Sequence, residues 1–396
     1  MHNRRRTKHS DALRAEHGPA GVFVFGYRRY LEFYRPCPGQ AERKGCHESP
    51  ERFVIEHCPK WAEREGVIKS TKMFKALLGG VILLVGFALT GQALAQGGTW
   101  ETKAPMPTAR TVTAGGVIDN RLYVVGGGGA VGGSTNVNEV YDPGTDSWAT
   151  KAPGLTSWAF PVGVVIDEKF YVLGGCIGSD CRIGTTNQLE MYNPAQDAWV
   201  TKSAMPTARA QVAAAAVGGK LYVVGGFSAC PPCFPQFGTL EVYDPANDTW
   251  DTKTSMPTPR EGASAAAIGN RLYVVGGCVR SVPSGACPAT DKLEVYDPVT
   301  DSWTTKASMP TPRIFMGVAV NNGQLHTVGG DGGGGSIVAI HEVYNPTTDT
   351  WTTDTSMPAP RVFLVAEVIN SRLYVVGGVD NTGAILNTLE VFTPTV

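Results

Sequence analysis

Three residue types return at fixed places along residues 97–396, and each could do chemistry. Glu139, Glu190, Glu241, Glu294, Glu342 and Glu390 hold one equivalent position. Gathered round a point, such carboxyls would form a ring of general acids. Arg110, Arg209, Arg260, Arg313 and Arg361 each follow Met-Pro with two residues between. Guanidinium forks beside aromatic faces suit carboxylates or sugar rings. Six cysteines fall in close pairs: Cys176 with Cys181, Cys230 with Cys233, and Cys278 with Cys287. Only two histidines, His326 and His341, share this region.

Repetition separates scaffold from site. A position filled alike in every unit maintains the unit, so the six glutamates are assigned to the scaffold. Asp146, Asp197, Asp248, Asp301 and Asp349 are likewise turn formers ahead of a tryptophan, bonding local backbone amides. The units differ elsewhere. The second unit puts Trp158 at the arginine position, and two residues on stand Val112, Phe160, Gln211, Gly262, Phe315 and Phe363. Glu261 and Asp331 are the best non-repeated carboxylates for an acid/base pair. The glycine-rich stretches 126–129 and 332–335 lack the Lys-Ser/Thr and helix context of a phosphate loop.

The elements that must position these residues are short strands. A valine-rich strand closed by Gly-Gly, first seen at residues 121–127, recurs with its leading glycine at 126, 174, 225, 276, 329 and 377, spaced 48, 51, 51, 53 and 48 residues apart. A period near fifty with strand-like units marks a propeller array, in which no unit buries its apolar face alone. Within a unit, a small-residue stretch (111–118) turns at Asp119-Asn120 into the diglycine strand. A glycine-rich loop follows, then Asn138 to Asp142, a Pro-Gly turn and Trp148. Four strands with turn chemistry between them make one blade.

The strand-ending Gly-Gly, the tyrosine of Glu-Val-Tyr-Asp-Pro and a tryptophan seven residues on resemble the kelch repeat. The pairs are Tyr141/Trp148, Tyr192/Trp199, Tyr243/Trp250, Tyr296/Trp303 and Tyr344/Trp351, and the resemblance covers residues 99–394. It implies an all-β, six-bladed β-propeller of kelch repeats whose first strands line a central channel. Trp100 precedes the first diglycine with no Tyr-Asp-Pro before it, whereas residues 389–394 have no tryptophan after them. The N-terminal outer strand, Trp100 to Lys103, is therefore expected to pair with Leu389 to Phe392 and close the ring, removing two exposed edges.

On the kelch plan, the arginine connections and the loops after each diglycine open at one mouth of the channel. The expected ligand-binding set is Arg110, Trp158, Phe160, Arg209, Arg260, Arg313, Phe315, Arg361 and Phe363. The competing reading has each arginine bonding backbone carbonyls and each aromatic ring merely packing. Secreted kelch propellers include galactose oxidase-like copper enzymes and a six-bladed sialic-acid mutarotase. Copper needs a His/Tyr cluster, and His326 and His341, one in a blade core and one on an outer strand, are not expected to meet on a metal. A mutarotase would need only a carboxyl pair such as Glu261 and Asp331. The expectation is a binding module for a protein or carbohydrate ligand, without cofactor or metal and monomeric. A sugar-modifying enzyme and a structural surface-display domain are the alternatives.

Charge and targeting signals frame this reading. Residues 97–396 carry 18 Lys/Arg against 26 Asp/Glu, a balance that excludes nucleic acid held through phosphate. Lys69, Lys72 and Lys75 precede the uncharged run Ala76 to Gln96, which ends near Ala93-Leu94-Ala95. That pattern reads as a signal peptide over residues 73–96, with a membrane anchor as the alternative. Residues 1–72 read as an upstream extension, disordered or absent from the native product, and 97–396 as the propeller. Secreted or periplasmic residence suits local disulfides in all three cysteine pairs, although six cysteines allow fifteen pairings.

Overall fold

The computed structural model describes residues 97–129, 133–177, 181, 184–229, 234–280 and 287–395; the extension, the signal segment and Cys230/Cys233 lie outside them. Six four-stranded antiparallel sheets follow one another along the chain. In the first blade the strands are Ala114–Ile118, Arg121–Val125, Asn138–Asp142 and Ser147–Lys151. Burial declines outward. Leu122, Tyr123, Val124 and Val125 are all buried, while the outer strand leaves most of its residues exposed. The inner strand is built of small residues because inner strands of neighbouring blades crowd together here: a Cβ on Gly115 would lie 2.2 Å from Val365 of the last blade. At the hairpin between the first two strands, Asp119 and Asn120 both take positive φ, the conformation a tight two-residue turn requires.

The diglycine joins each blade to the next. Gly126 and Gly127 have φ of 70° and 91°, and a Cβ on Gly127 would fall 2.4 Å from the Thr111 carbonyl oxygen. Only glycine satisfies both conditions. The second glycine's N–H donates to the carbonyl at the arginine position of the following unit: Gly175 to Arg209, Gly226 to Arg260, Gly277 to Arg313 and Gly330 to Arg361. Gly127 donates to Trp158 in the unit without arginine, and Gly378 donates to Arg110, completing the circuit.

A second circuit runs round the rim. Trp148 Nε1 donates to the Ala104 carbonyl (2.8 Å), and Asp146 accepts both the Ala104 amide and the Tyr141 hydroxyl. Asp146 sits at φ 47°, a left-handed turn position that aspartate tolerates. The same clamp recurs through Trp199, Trp250, Trp303 and Trp351. Blade six closes as the sequence implies: Gly98–Lys103 pairs antiparallel with Leu389–Pro394, with Trp100 opposite Phe392. Trp100 Nε1 donates to the Thr355 carbonyl at 2.9 Å and so supplies the sixth clamp. Phenylalanine replaces tyrosine at 392, and the chain offers no aspartate there to receive a hydroxyl.

Apolar clusters fill the spaces between blades; Leu122 and Tyr141 of the first meet Tyr374 and Leu389 of the last. At most interfaces a tyrosine of one blade packs on a tyrosine of the next, as in Tyr123–Tyr192 at 5.8 Å. The fifth blade departs from this and brings together the two histidines that the sequence placed in a blade core and on an outer strand. His326 takes the tyrosine position, His341 takes a position that is leucine in four units, and the two rings meet: Nδ1 of His326 lies 2.9 Å from Nε2 of His341. They face each other because His341 pairs with Val328, two residues along from His326, so the two side chains are diagonal neighbours on one face of the sheet. His341 Nδ1 lies 3.3 Å from the Thr355 carbonyl, so it donates there and accepts from His326 at Nε2. Both rings are buried, and His341 packs against Trp100 and Phe392.

Candidate functional site

Six residues, one per blade, ring one mouth of the channel: Val112, Phe160, Gln211, Gly262, Phe315 and Phe363. All six have positive φ, between 52° and 63°. Amide-to-carbonyl bonds run round the ring, from Gly262 to Gln211, Phe315 to Gly262, Phe363 to Phe315 and Val112 to Phe363. The left-handed turn lets each amide reach the preceding blade's carbonyl. For the non-glycine members it is strained by about 1–2 kcal/mol each. The three phenylalanines are half-buried and close over the opening, with centroids 4.5 Å apart for Phe315–Phe363 and 5.6 Å for Phe160–Phe363. A small cup of about 140 Å³ lies among these rings, Gln211 and Met316.

Behind the cup runs a channel of about 440 Å³ lined by inner-strand glycine, alanine and valine. It contains one carboxyl, Glu367, among the residues that line it. At the equivalent inner-strand position the other blades carry Gly116, Val164, Ala215, Ala266 and Ala319. Removal from bulk water, with no cation to offset it, pushes the Glu367 carboxyl up to about 7.

The arginines are placed differently from the binding-set expectation. Arg110, Arg209, Arg260 and Arg313 have no exposed surface and Arg361 is 1% exposed. Each is bound inside its own unit to the repeated glutamate: Arg110–Glu139 at 2.7 Å, Arg209–Glu241 at 2.6 Å, Arg260–Glu294 at 2.7 Å, Arg313–Glu342 at 2.6 Å and Arg361–Glu390 at 2.7 Å. Arg110 also donates to the Gly126, Val124 and Val137 carbonyls. Burial outweighs the partner and holds these guanidiniums below their usual range. The physical reason is economy of charge: in five of the six blades the buried glutamate is compensated by a buried cation, the arginine one connection away.

Trp158 is likewise interior, fully buried and 6.0 Å from Trp199, so it gives no stacking face to a ligand. It fills the arginine space of unit two. Glu190, left without a cation, accepts from the Leu155 amide and the Thr156 hydroxyl instead, and burial raises its carboxyl.

The two candidate acid/base residues do not converge. Asp331 accepts the Gly333 and Gly335 amides and serves its own loop. Glu261 is 1% exposed and sits beside the Cys278–Cys287 disulfide, with Oε1 taking a 2.7 Å bond from Arg280. Burial pushes its carboxyl up to about 7 against the opposing pull of Arg280 and Gln236. Arg280 in turn lies 5.8 Å from the Phe227 ring centroid and 5.9 Å from that of Phe234. Cys176–Cys181 forms a second disulfide. In each unit the residue after the diglycine bridges the residue after the arginine position, as in Ala159–Cys176, Glu261–Cys278 and Ile314–Asp331. This brings the post-diglycine loops to the mouth.

Fold and mouth together define a closed six-bladed propeller with loops gathered at one opening. A family model for the KLHDC2/KLHL20/DRC7 Kelch-repeats domain matches residues 162–378, and a Kelch motif model matches 110–154. The chain belongs to the kelch-repeat family. Among curated relatives, Kelch-like protein terF of Aspergillus terreus is 32% identical over 150 residues, 37% of this chain and 33% of that protein. Human Kelch-like protein 30 is 38% identical over 225 residues, 56% of this chain and 35% of that protein. The chain thus spans about a third of the length of these relatives. The solved structure titled "Structure of YjhT" superposes with a TM-score of 0.62 at 19% identity, over 72% of this chain and 95% of that one.

Proposed function

We propose that the chain is a binding module that takes a protein segment at the phenylalanine cup, with an apolar side chain as anchor and the surrounding loops as rim. The observation that carries this is the trio Phe160, Phe315 and Phe363, half-exposed and held at positive φ at the mouth. Strained positions that leave large apolar rings against solvent cost stability and persist where a site uses them. Variable loops on a rigid frame add the remaining contacts. A carbohydrate at this mouth would want polar donors, and the five arginines that would have supplied them are enclosed by their own blades. Glu261 and Asp331 do not line the cup and are engaged by Arg280 and by the Gly333 amide, which weighs against a sugar-modifying reaction there.

The test is a peptide array and a glycan array probed in parallel with the full chain and with Phe160→Ala, Phe315→Ala and Phe363→Ala variants of confirmed fold. Peptide hits with apolar anchors that disappear in the variants support the reading. Peptide hits that survive all three substitutions, or hits confined to the glycans, overturn it. Export through residues 73–96, with the propeller secreted, periplasmic or held outside a membrane, belongs to the same proposal and draws support from the two disulfides. N-terminal sequencing of the exported chain checks it; a mature protein retaining residues before Met73 contradicts it.

A further inference from the structure

At the fourth blade's edge of the mouth, three metal-binding side chains converge. Among the described residues, Glu261, Cys278 and Cys287 form a group whose ligand atoms all lie within 4.8 Å of one another. Glu261 Oε1 is 3.9 Å from Cys278 Sγ and 3.7 Å from Cys287 Sγ. Two thiolates and a carboxylate on tetrahedral zinc stand about 3.5–3.8 Å apart, as Zn–S near 2.3 Å and Zn–O near 2.0 Å dictate. The carboxylate therefore lies within a few tenths of an ångström of the separation that both sulfurs would need. Its other oxygen, Oε2, is buried with no hydrogen-bond partner among the described residues. The five equivalent bridges elsewhere pair Thr111 with Gly128, Ala159 with Cys176, Ala210 with Phe227, Ile314 with Asp331 and Val362 with Val379. None sets a carboxylate against two sulfurs.

We propose that Cys278, Cys287 and Glu261 form a redox-gated site for a zinc-class divalent ion, closed by the disulfide and opened by its reduction. A dithiol reductant delivers two electrons and two protons to the Cys278–Cys287 bond and itself closes to a disulfide. The metal then displaces the two thiol protons to solvent and binds both thiolates and the Glu261 carboxylate, leaving a fourth position for water or a ligand group. Charge favours this set. Two thiolates, one carboxylate, a divalent ion and the Arg280 guanidinium sum to zero, as do Glu261 and Arg280 alone in the oxidised state. Gln236 fixes the sulfur side, its Nε2 lying 3.1 Å from the Cys278 carbonyl and 3.3 Å from Cys287 Sγ.

The experiment titrates cobalt(II) into full-chain protein that has been reduced with a dithiol and desalted without oxygen. Unreduced protein and a Cys278→Ser/Cys287→Ser variant, each checked for native circular dichroism, are treated alike. Cysteines outside the site are common to both chains and cancel in the difference. The reduced wild type should take up one more equivalent than the variant, with a thiolate-to-cobalt charge-transfer band that zinc abolishes and that unreduced protein lacks. In Glu261→Gln, which keeps both thiols, the band should persist while affinity falls at least tenfold. Equal uptake by wild type and the double-serine variant overturns the site, as does unaltered affinity in Glu261→Gln.

Discussion

Replacing His326 and His341 by Tyr and Leu, the residues most sister units carry, should flatten the acid sensitivity of the ring. In the folded protein, burial lowers His326 to about 4, and His341 to about 3, where the neighbouring His326 and Arg313 add to burial and the Thr355 carbonyl opposes it. The unfolded chain titrates both near 6.5. With folded values depressed, the unfolded state binds more protons below 6.5. The neutral pair's contribution is therefore intact above 6.5 and falls as pH drops toward 4 and 3. Each histidine loses about 1.4 kcal/mol per pH unit in that window, so the pair costs roughly 4 kcal/mol between pH 7.5 and 5. Glu261, Glu367 and Asp354, whose carboxyls burial raises, act with the opposite sign but are common to both proteins. Urea unfolding of wild type and of H326Y/H341L, followed by tryptophan fluorescence at pH 7.5 and 5, gives the difference directly. Trp100, whose ring lies 6.1 Å from His341, reports on the interface. Equal loss of stability in the two proteins on acidification would refute the reasoning.

Other perturbations have expected outcomes of their own. Deleting residues 97–105 removes Trp100 and the sixth outer strand, and the melting temperature should fall sharply; an unchanged melt would show the closing strand to be dispensable. Arg260→Ala leaves Glu294 buried without its cation and should cost about 3–5 kcal/mol in chemical denaturation, whereas an accessible mouth arginine would cost well under 1 kcal/mol. Glu367→Gln removes a carboxyl whose folded value, about 7, exceeds its unfolded value. Its cost is absent below pH 4.5 and full above 7, so the variant should gain about 1–3 kcal/mol at pH 8 and nothing at pH 4. Partial exposure of Glu367 keeps that gain toward the lower end, and a gain equal at both pH values would contradict the assignment.

The ring was legible because its signals repeat. Gly126-Gly127 announces a strand end in every unit, and the spare Trp100 against the unfinished Phe392 specifies the closure. Spacing alone could not reveal the destination of the arginines. Arg110 and Glu139 lie 29 residues apart and meet only when the unit folds, so the glutamates read correctly as scaffold while their partners read as a site. One arginine and one glutamate per unit was the available clue. The histidine contact carried a similar signal, since two departures from the repeat fall in one unit on strands that must pair. Glu367 stands out among small residues at its inner-strand position, and its neighbours show why it matters only once the channel is assembled. The positive φ of Phe160, Phe315 and Phe363 has no signature in residue type, because phenylalanine does not favour that conformation.

The strand that completes blade six also sets an order of events. Its two halves are nearly 300 positions apart, as the bond between Thr395 and Gly97 illustrates, so the earliest part of the propeller to leave the ribosome is the last to find its mate. Until then the nascent molecule carries two bare ladders of amides and carbonyls, at Leu389–Pro394 and at Gly98–Lys103, open to any passing extended chain. Contacts this distant form slowly. The interval between synthesis of the last blade and arrival of Trp100 is thus when the newborn protein is most vulnerable to aggregation or to exchange of strands with a neighbour.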